Sequence, residues 1–332
     1  LGSKPVPVHD PVTVIAANNG NSGAFVSNRG ALLYSRGGTK GRISWISSSG
    51  AVTPISRDVR PFVTPQLSPD EQRIAVTIDE RDRSDIWVYD IPTGTLARLS
   101  SLKAAVSPSW AADGNRVFYL AYGDNQRFAV WSQAADGGTP PEMVAETPRL
   151  TATVEVAPDG KSLVYQTIYN GYWNLFRVPF GSTKKAEPYL VGPFNYLAPN
   201  FSPDGKWIAV STEESGRYEV FIRSYPNPAS RLQISAAGGN FPVWSHDGTR
   251  IYYRAGQSIL SAKLATVPAL RVISRDTVLA DATAMSAEGL NTTFDVSRDG
   301  RILGSLSSKE DFQLIAVPNW LPELKQRMGQ SR

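Results

Sequence analysis

A four-residue turn signal returns seven times along the chain: SNRG ending at Gly30, SPDE at Glu71, AADG at Gly114, APDG at Gly160, SPDG at Gly205, SHDG at Gly248 and SRDG at Gly300. Successive copies lie 41, 43, 46, 45, 43 and 52 residues apart, the period of propeller blades. Proline presets φ at the first central position, aspartate bonds nearby backbone, and glycine accepts positive φ. Asp70, Asp113, Asp159, Asp204, Asp247 and Asp299 are therefore read as turn formers rather than as catalytic carboxylates.

Each turn is followed by a short β-prone run such as RIAV, RVFYL or WIAVST, then by a loop and a second run such as DIWVYD, NLFRVP or EVFIRS. These runs alternate or are wholly apolar, as buried strands are. A polar turn and a weaker strand complete a four-stranded antiparallel meander. The seventh unit has three strands and no fourth, while Pro11–Ala17 has no unit of its own. The expectation is an all-β, seven-bladed propeller closed by residues 11–17 as the outer strand of the last blade, which removes open sheet edges. Its blades would span about 22–56, 62–100, 106–145, 152–191, 198–235, 240–280 and 291–318 plus 11–17, within a single domain of residues 4–332 that ends in a capping tail, 319–332. Leu1–Ser3 reads as the scar of a cleaved tag.

Composition excludes several classes of function. With 34 basic and 30 acidic residues and no block of either, nothing marks a nucleic-acid footprint. The absence of cysteine excludes disulfides, thiolate metal sites and a cysteine nucleophile. His9 and His246 are the only histidines and are far apart in sequence, so no histidine cluster can hold zinc. There is no G-x-S-x-G elbow, and no cofactor motif is present. The acidic run Asp79, Glu80, Asp82 and Asp85 offers oxygen ligands of the kind calcium takes, but Arg81 and Arg83 interrupt it and favour a salt-bridged loop.

Four stretches carry a family resemblance: GALLYSRGG, DIWVYDIPTGTLARLS, FSPDGKWIAVSTEESGRYEVFIRSYPNP and VPNWLPELKQRM. Together they resemble the TolB-type (PD40, WD40-like) propellers, and in particular the propeller that follows the membrane helix of bacterial receptor-like serine/threonine kinases. The resemblance implies an extracytoplasmic, non-catalytic sensor anchored through a span outside residues 1–332. Its partner would be a small molecule, glycan or protein. A secreted polysaccharide lyase or hydrolase and a TolB-like envelope scaffold are the alternatives.

Ligands of propellers collect at the channel mouth, where variable loops sit on a rigid frame. The loops opposite the turn copies carry Arg60, Tyr122, Arg127, Tyr169, Tyr172, Tyr196, Glu214, Asn240 and Arg254, the expected ligand-binding set. Aromatic faces with arginine and glutamate suit a sugar, peptide or protein. Trp110, Trp207 and Trp244 are expected to pack between blades.

Overall fold

The computed structural model describes residues 24–26, 32–36, 40–80, 83–123, 127–148, 150–181, 185–265, 269–285, 290–307 and 313–317. Contacts divide the chain into two compact units, Gly41–Leu306 and a second made of Leu1–Lys40 with Ser307–Arg332. Within the second, Ala24–Val26 and Leu32–Arg36 form a hairpin, and Leu32–Arg36 also pairs with Gln313–Val317.

Residues 41–306 form six four-stranded antiparallel sheets, a six-bladed propeller. Blade I runs through Phe62–Leu67, Arg73–Glu80, Arg83–Asp90 and Thr95–Arg98. Blades II to V start on Lys103–Trp110, Thr151–Val156, Tyr196–Phe201 and Asn240–Trp244. Blade VI joins Phe294–Val296 and Ile302–Ser307 to Gly41–Ile46 and Val52–Pro54. The ring is thus sealed by strands from both ends of this unit.

The expected count of seven is corrected here. The copy ending at Gly30 lies outside the described residues; the strands on either side of it, Ala24–Val26 and Leu32–Arg36, pair with each other, and Leu32–Arg36 pairs next with Gln313–Val317 and not with Gly41–Ile46. A turn signal registers one hairpin, and the outer strands that complete a blade can come from elsewhere in the chain. The strand expected at residues 11–17 and the tail at 319–332 lie outside the described residues.

Hydrophobic burial follows the same sixfold plan. One cluster joins Ala75 and Ile86 of blade I to Trp110 and Tyr119 of blade II, and others seal the II–III, III–IV, IV–V and V–VI interfaces. The closing interface packs Ile43 and Leu303 of blade VI on Phe62, Ile74 and Val76 of blade I. Each fully buried side chain of this size stabilises by roughly 1.5–3 kcal/mol, so the seam is held by apolar area as much as by its ladder.

Gly41 sits at that seam. A Cβ there would meet the Leu306 carbonyl oxygen at 2.4 Å, a backbone atom that cannot swing aside. Gly41→Ala is expected to cost about 1–3 kcal/mol through overpacking, lowering the thermal midpoint by ~2–4 °C per kcal/mol. A melt followed by far-UV circular dichroism checks this, and an unchanged midpoint would refute the tight seam.

Candidate ligand site in the central channel

The innermost strand of each blade presents one edge to the channel, where its N–H groups have no further strand to pair with. Four of these strands bulge at the same place. Thr64, Ser107, Ala198 and Phe241 adopt φ of 50°, 57°, 49° and 56°, and each precedes a proline. Register shifts accompany all four. Proline brings no N–H, so the broken ladder leaves no donor stranded there.

Five inward N–H groups are taken by side chains of the preceding blade. Leu67 N donates to Asp295 Oδ2 at 2.8 Å, Val156 N to Ser109 Oγ at 3.1 Å and Trp244 N to Asn200 Oδ1 at 2.8 Å. Ala198 N donates to Gln166 Oε1 at 3.0 Å and Phe241 N to Ser211 Oγ at 3.0 Å. Asp295, Ser109 and Asn200 all stand two residues before their turn copy. Gln66, Glu155 and Val243 occupy the same position in the other three blades. The sequence analysis passed over this ring. Its signal is the run TPQLS, SPSWA, TVEVA, APNFS, FPVWS and TFDVS, whose third residue is polar in five of six copies.

All six ring residues line a cavity of about 390 Å³ that opens among the turns. Trp110, Trp244, Phe201 and Phe294 supply its apolar wall, and His246 and Arg298 stand with the turns around it. Glu155 is half-buried, and its Oε1 accepts from Gln66 Nε2 at 3.2 Å. Burial, reinforced by the charge of Asp295, pushes its carboxyl up to about 8 against the hydrogen bonds from Gln66 and Ser109. Asp295 is also raised by burial, while Leu67 N, Val296 N and His246 favour its charged form and Glu71 opposes it. Neither carboxyl makes an ion pair among the described residues.

Glu71 replaces glycine in the blade I turn, yet the turn keeps its form at φ 58°, beside 65–82° for the glycines of the other five. That left-handed conformation costs a non-glycine residue roughly 1–2 kcal/mol. Its carboxylate accepts Arg298 N at 2.6 Å and stands 3.5 Å from His246 Nε2, so one strained residue links the turns of blades I, V and VI. The turn aspartates behave as expected: Lys161 N donates to Asp159 at 2.9 Å, Thr249 N to Asp247 at 3.0 Å and Lys206 N to Asp204 at 3.1 Å.

The nine loop residues expected to bind ligand are placed separately, and none lines this cavity. Arg60 stacks on Trp87 at 5.2 Å, Tyr122 packs on Phe128 at 4.8 Å, and Arg127 pairs with Glu146 at 3.0 Å. Tyr169 and Tyr172 are exposed cross-strand partners at the tip of blade III. Tyr196 is buried, its phenol pushed up to about 12 by burial and by its bond to Glu214. Glu214 is clamped by Arg223 at 2.6 Å and Arg231 at 3.2 Å. Asn240 and Arg254 are cross-strand partners, and buried Arg254 donates to Ala282 O at 3.1 Å. Asp85, from the acidic run, pairs with Arg83 at 2.5 Å, and no carboxylate group among the described residues is arranged to hold a metal. Trp110 and Trp244 pack between blades as expected and also wall the cavity.

No family model matches the chain. An uncharacterized protein of Agrobacterium fabrum is 26% identical over 126 residues, which span 38% of this chain and 42% of that protein. TolB from Acinetobacter baumannii superposes with a TM-score of 0.56 at 20% identity, over 75% of this chain and 64% of that one. The fold is of the TolB propeller type. A TolB protein from Agrobacterium tumefaciens gives a TM-score of 0.60 at 15% identity, over 84% of this chain and 99% of that one. Puromycin hydrolase gives 0.52 at 16% identity, over 84% of this chain and 48% of the hydrolase.

Folded protein holds the Glu155 proton up to about pH 8, whereas the unfolded chain releases it near the ordinary value of 4.5. Protein stability therefore falls as pH rises between those limits, because the folded state binds the extra proton. Glu155→Gln removes this dependence. Its thermal midpoint relative to the parent is expected to climb steadily from pH 5 to pH 8, by ~2–4 °C for each kcal/mol of penalty relieved. A midpoint difference that stays flat across that range would show that Glu155 ionises freely.

Proposed function

We propose that this chain is a non-catalytic recognition module whose ligand enters the central channel among the turns. The observation that carries this reading is the convergence of six strands on one cavity of about 390 Å³, with polar groups set against aromatic walls. Its serines are engaged within the fold: Ser109 Oγ accepts Val156 N and bonds to Glu155, and Ser245 Oγ donates to Asp247 at 2.6 Å while accepting Arg250 N at 2.9 Å. Hydroxyls held this way suit positioning rather than nucleophilic attack.

The parent molecule in this reading is a bacterial membrane-bound serine/threonine kinase, with the propeller outside the cytoplasm as its sensor. What supports it is the resemblance of the four sequence stretches, DIWVYDIPTGTLARLS among them. Among the described residues no helix is long and apolar enough to cross a membrane. Exposed Tyr169 and Tyr172 would offer a further contact surface on blade III. A TolB-like scaffolding role is the second reading, favoured by the match to 99% of the Agrobacterium tumefaciens TolB chain.

Ala112 is an exposed turn residue on the cavity rim, so Ala112→Trp obstructs the cavity without touching the core. Thermal-shift screening of the 332-residue chain against amino acids, short peptides and sugars is expected to find at least one stabilising ligand that is not turned over. Saturating ligand at 100 times its Kd stabilises by about 2.7 kcal/mol, and the Ala112→Trp variant should lose that shift. Stabilisation that survives in the variant would place binding elsewhere, and product formation would overturn the non-catalytic reading.

A further inference from the structure

The channel cavity holds two carboxyls whose bonds go only to uncharged donors. Glu155 Oε1 faces Gln66 Nε2, and Ser109 also bonds to it. Asp295 takes one backbone N–H on each oxygen, from Leu67 at 2.8 Å and Val296 at 2.8 Å, which leaves lone pairs on both. Buried carboxylates are ordinarily paired with cations, so a pair without them is incomplete. The nearby basic side chains are already engaged. Arg298 donates to Pro69 O and His246 stands beside Glu71. Arg73 stacks on Trp110 at 5.1 Å and donates to Gly114 O at 2.8 Å.

A second observation comes from the tryptophans. Trp110 and Trp244 occupy the same position in blades II and V, one residue before the turn copy. Trp110 Nε1 donates to Gln66 O, the ring residue of the preceding blade, at 3.0 Å. Trp244 is 94% buried on the cavity wall, yet its Nε1 has no acceptor among the described residues. The Trp244 N–H is thus shut within the fold and only its ring serves the cavity, so what the site lacks is a cation.

We propose that the cavity binds an organic cation: an ammonium group neutralised by Glu155 and Asp295 beside the aromatic wall. A lysine side chain with its amine free, alone or within a peptide, carries such a group. This rests on the channel reading above and adds the chemistry of the ligand. Trp244 and Phe201 contribute aromatic faces, which attract cations most strongly where water is excluded. Besides each other, His246 and Glu71 are the titratable groups that act on the pair, with Arg298 the fixed charge beside Glu71. Binding requires ionised Glu155, so affinity rises with pH while the lysine ammonium stays charged up to about pH 10.

Isothermal titration and tryptophan fluorescence on the 332-residue chain test this with four probes: Nα-acetyl-lysine amide, its neutral isostere Nα-acetyl-norleucine amide, 1,5-diaminopentane and calcium chloride. A lysine pentapeptide in a fifth arm separates free from peptide-borne lysine. The lysine amide is expected to bind at least about tenfold more tightly than the norleucine amide. Glu155→Gln and Asp295→Asn should each weaken it by about tenfold or more; the pH 6 melting midpoint of Glu155→Gln should be no lower than the parent's, whereas Asp295→Asn, which sets an amide N–H against Leu67 N or Val296 N, should melt lower and is titrated well below its own midpoint. 1,5-Diaminopentane should bind as the lysine amide does and show the same dependence on both carboxyls. Affinity should rise between pH 6 and pH 8 and level off above. Equal binding of the norleucine amide, indifference to both carboxyl variants, or calcium binding in place of the amines overturns the proposal. A neutral or anionic ligand that binds and is lost in Ala112→Trp would overturn the cation chemistry alone. Failure of every probe and of the wider screen would overturn the channel reading with it.

Discussion

A propeller must satisfy the inner edges of its innermost strands, and this protein does so at five positions across blades rather than within them. An unpaired buried N–H costs about 1–3 kcal/mol, and the strands that ring the axis would otherwise leave several. Here the donors at Leu67, Val156, Ala198, Phe241 and Trp244 all find side-chain oxygens from the preceding blade. That requirement forces polar residues onto the channel wall. Because those residues converge on the axis, the constraint that stabilises the ring also furnishes a recognition site.

Where a blade cannot supply the acceptor, its neighbour compensates. Blade V has Val243 at the ring position, so the Val296 N–H of blade VI is taken by Asp295 itself at 2.8 Å. The other oxygen of Asp295 serves Leu67 in blade I. One carboxylate thus ties both sides of the closing seam, where the chain doubles back to complete blade VI. Glu71 acts at the same seam from the turn side, and the bond to Arg298 N offsets its left-handed strain.

The turn copies made much of this legible in the sequence. Six of the seven mark true blade hairpins, and each Asp sits where the turn chemistry requires it. The copy at Gly30 misled the blade count because a hairpin signal is local, whereas the strand that pairs with it is chosen by long-range packing. For the site, reasoning from loop variability pointed to residues such as Glu214 and Arg254, which proved to be held in internal ion pairs or buried bonds. The ring was readable as a polar residue two places before five of the six blade turns. It was overlooked because a single polar residue in an apolar strand carries no periodicity signal; only superposing the six copies reveals it.

Superposition also explains why the channel is not uniform. Equivalent positions carry Gln66, Ser109, Glu155, Asn200, Val243 and Asp295, and equivalent tryptophans meet a carbonyl in blade II and nothing in blade V. A symmetric ring would present every ligand with six alike environments and would orient none of them. With acid on opposite blades III and VI, an amide between them on blade I and an apolar wall at blade V, the channel distinguishes one end of a ligand from the other. The low dielectric that raises the Glu155 carboxyl is the same medium in which a single buried charge pair becomes strong enough to discriminate. Repetition therefore supplies the scaffold, and the departures from repetition supply the specificity.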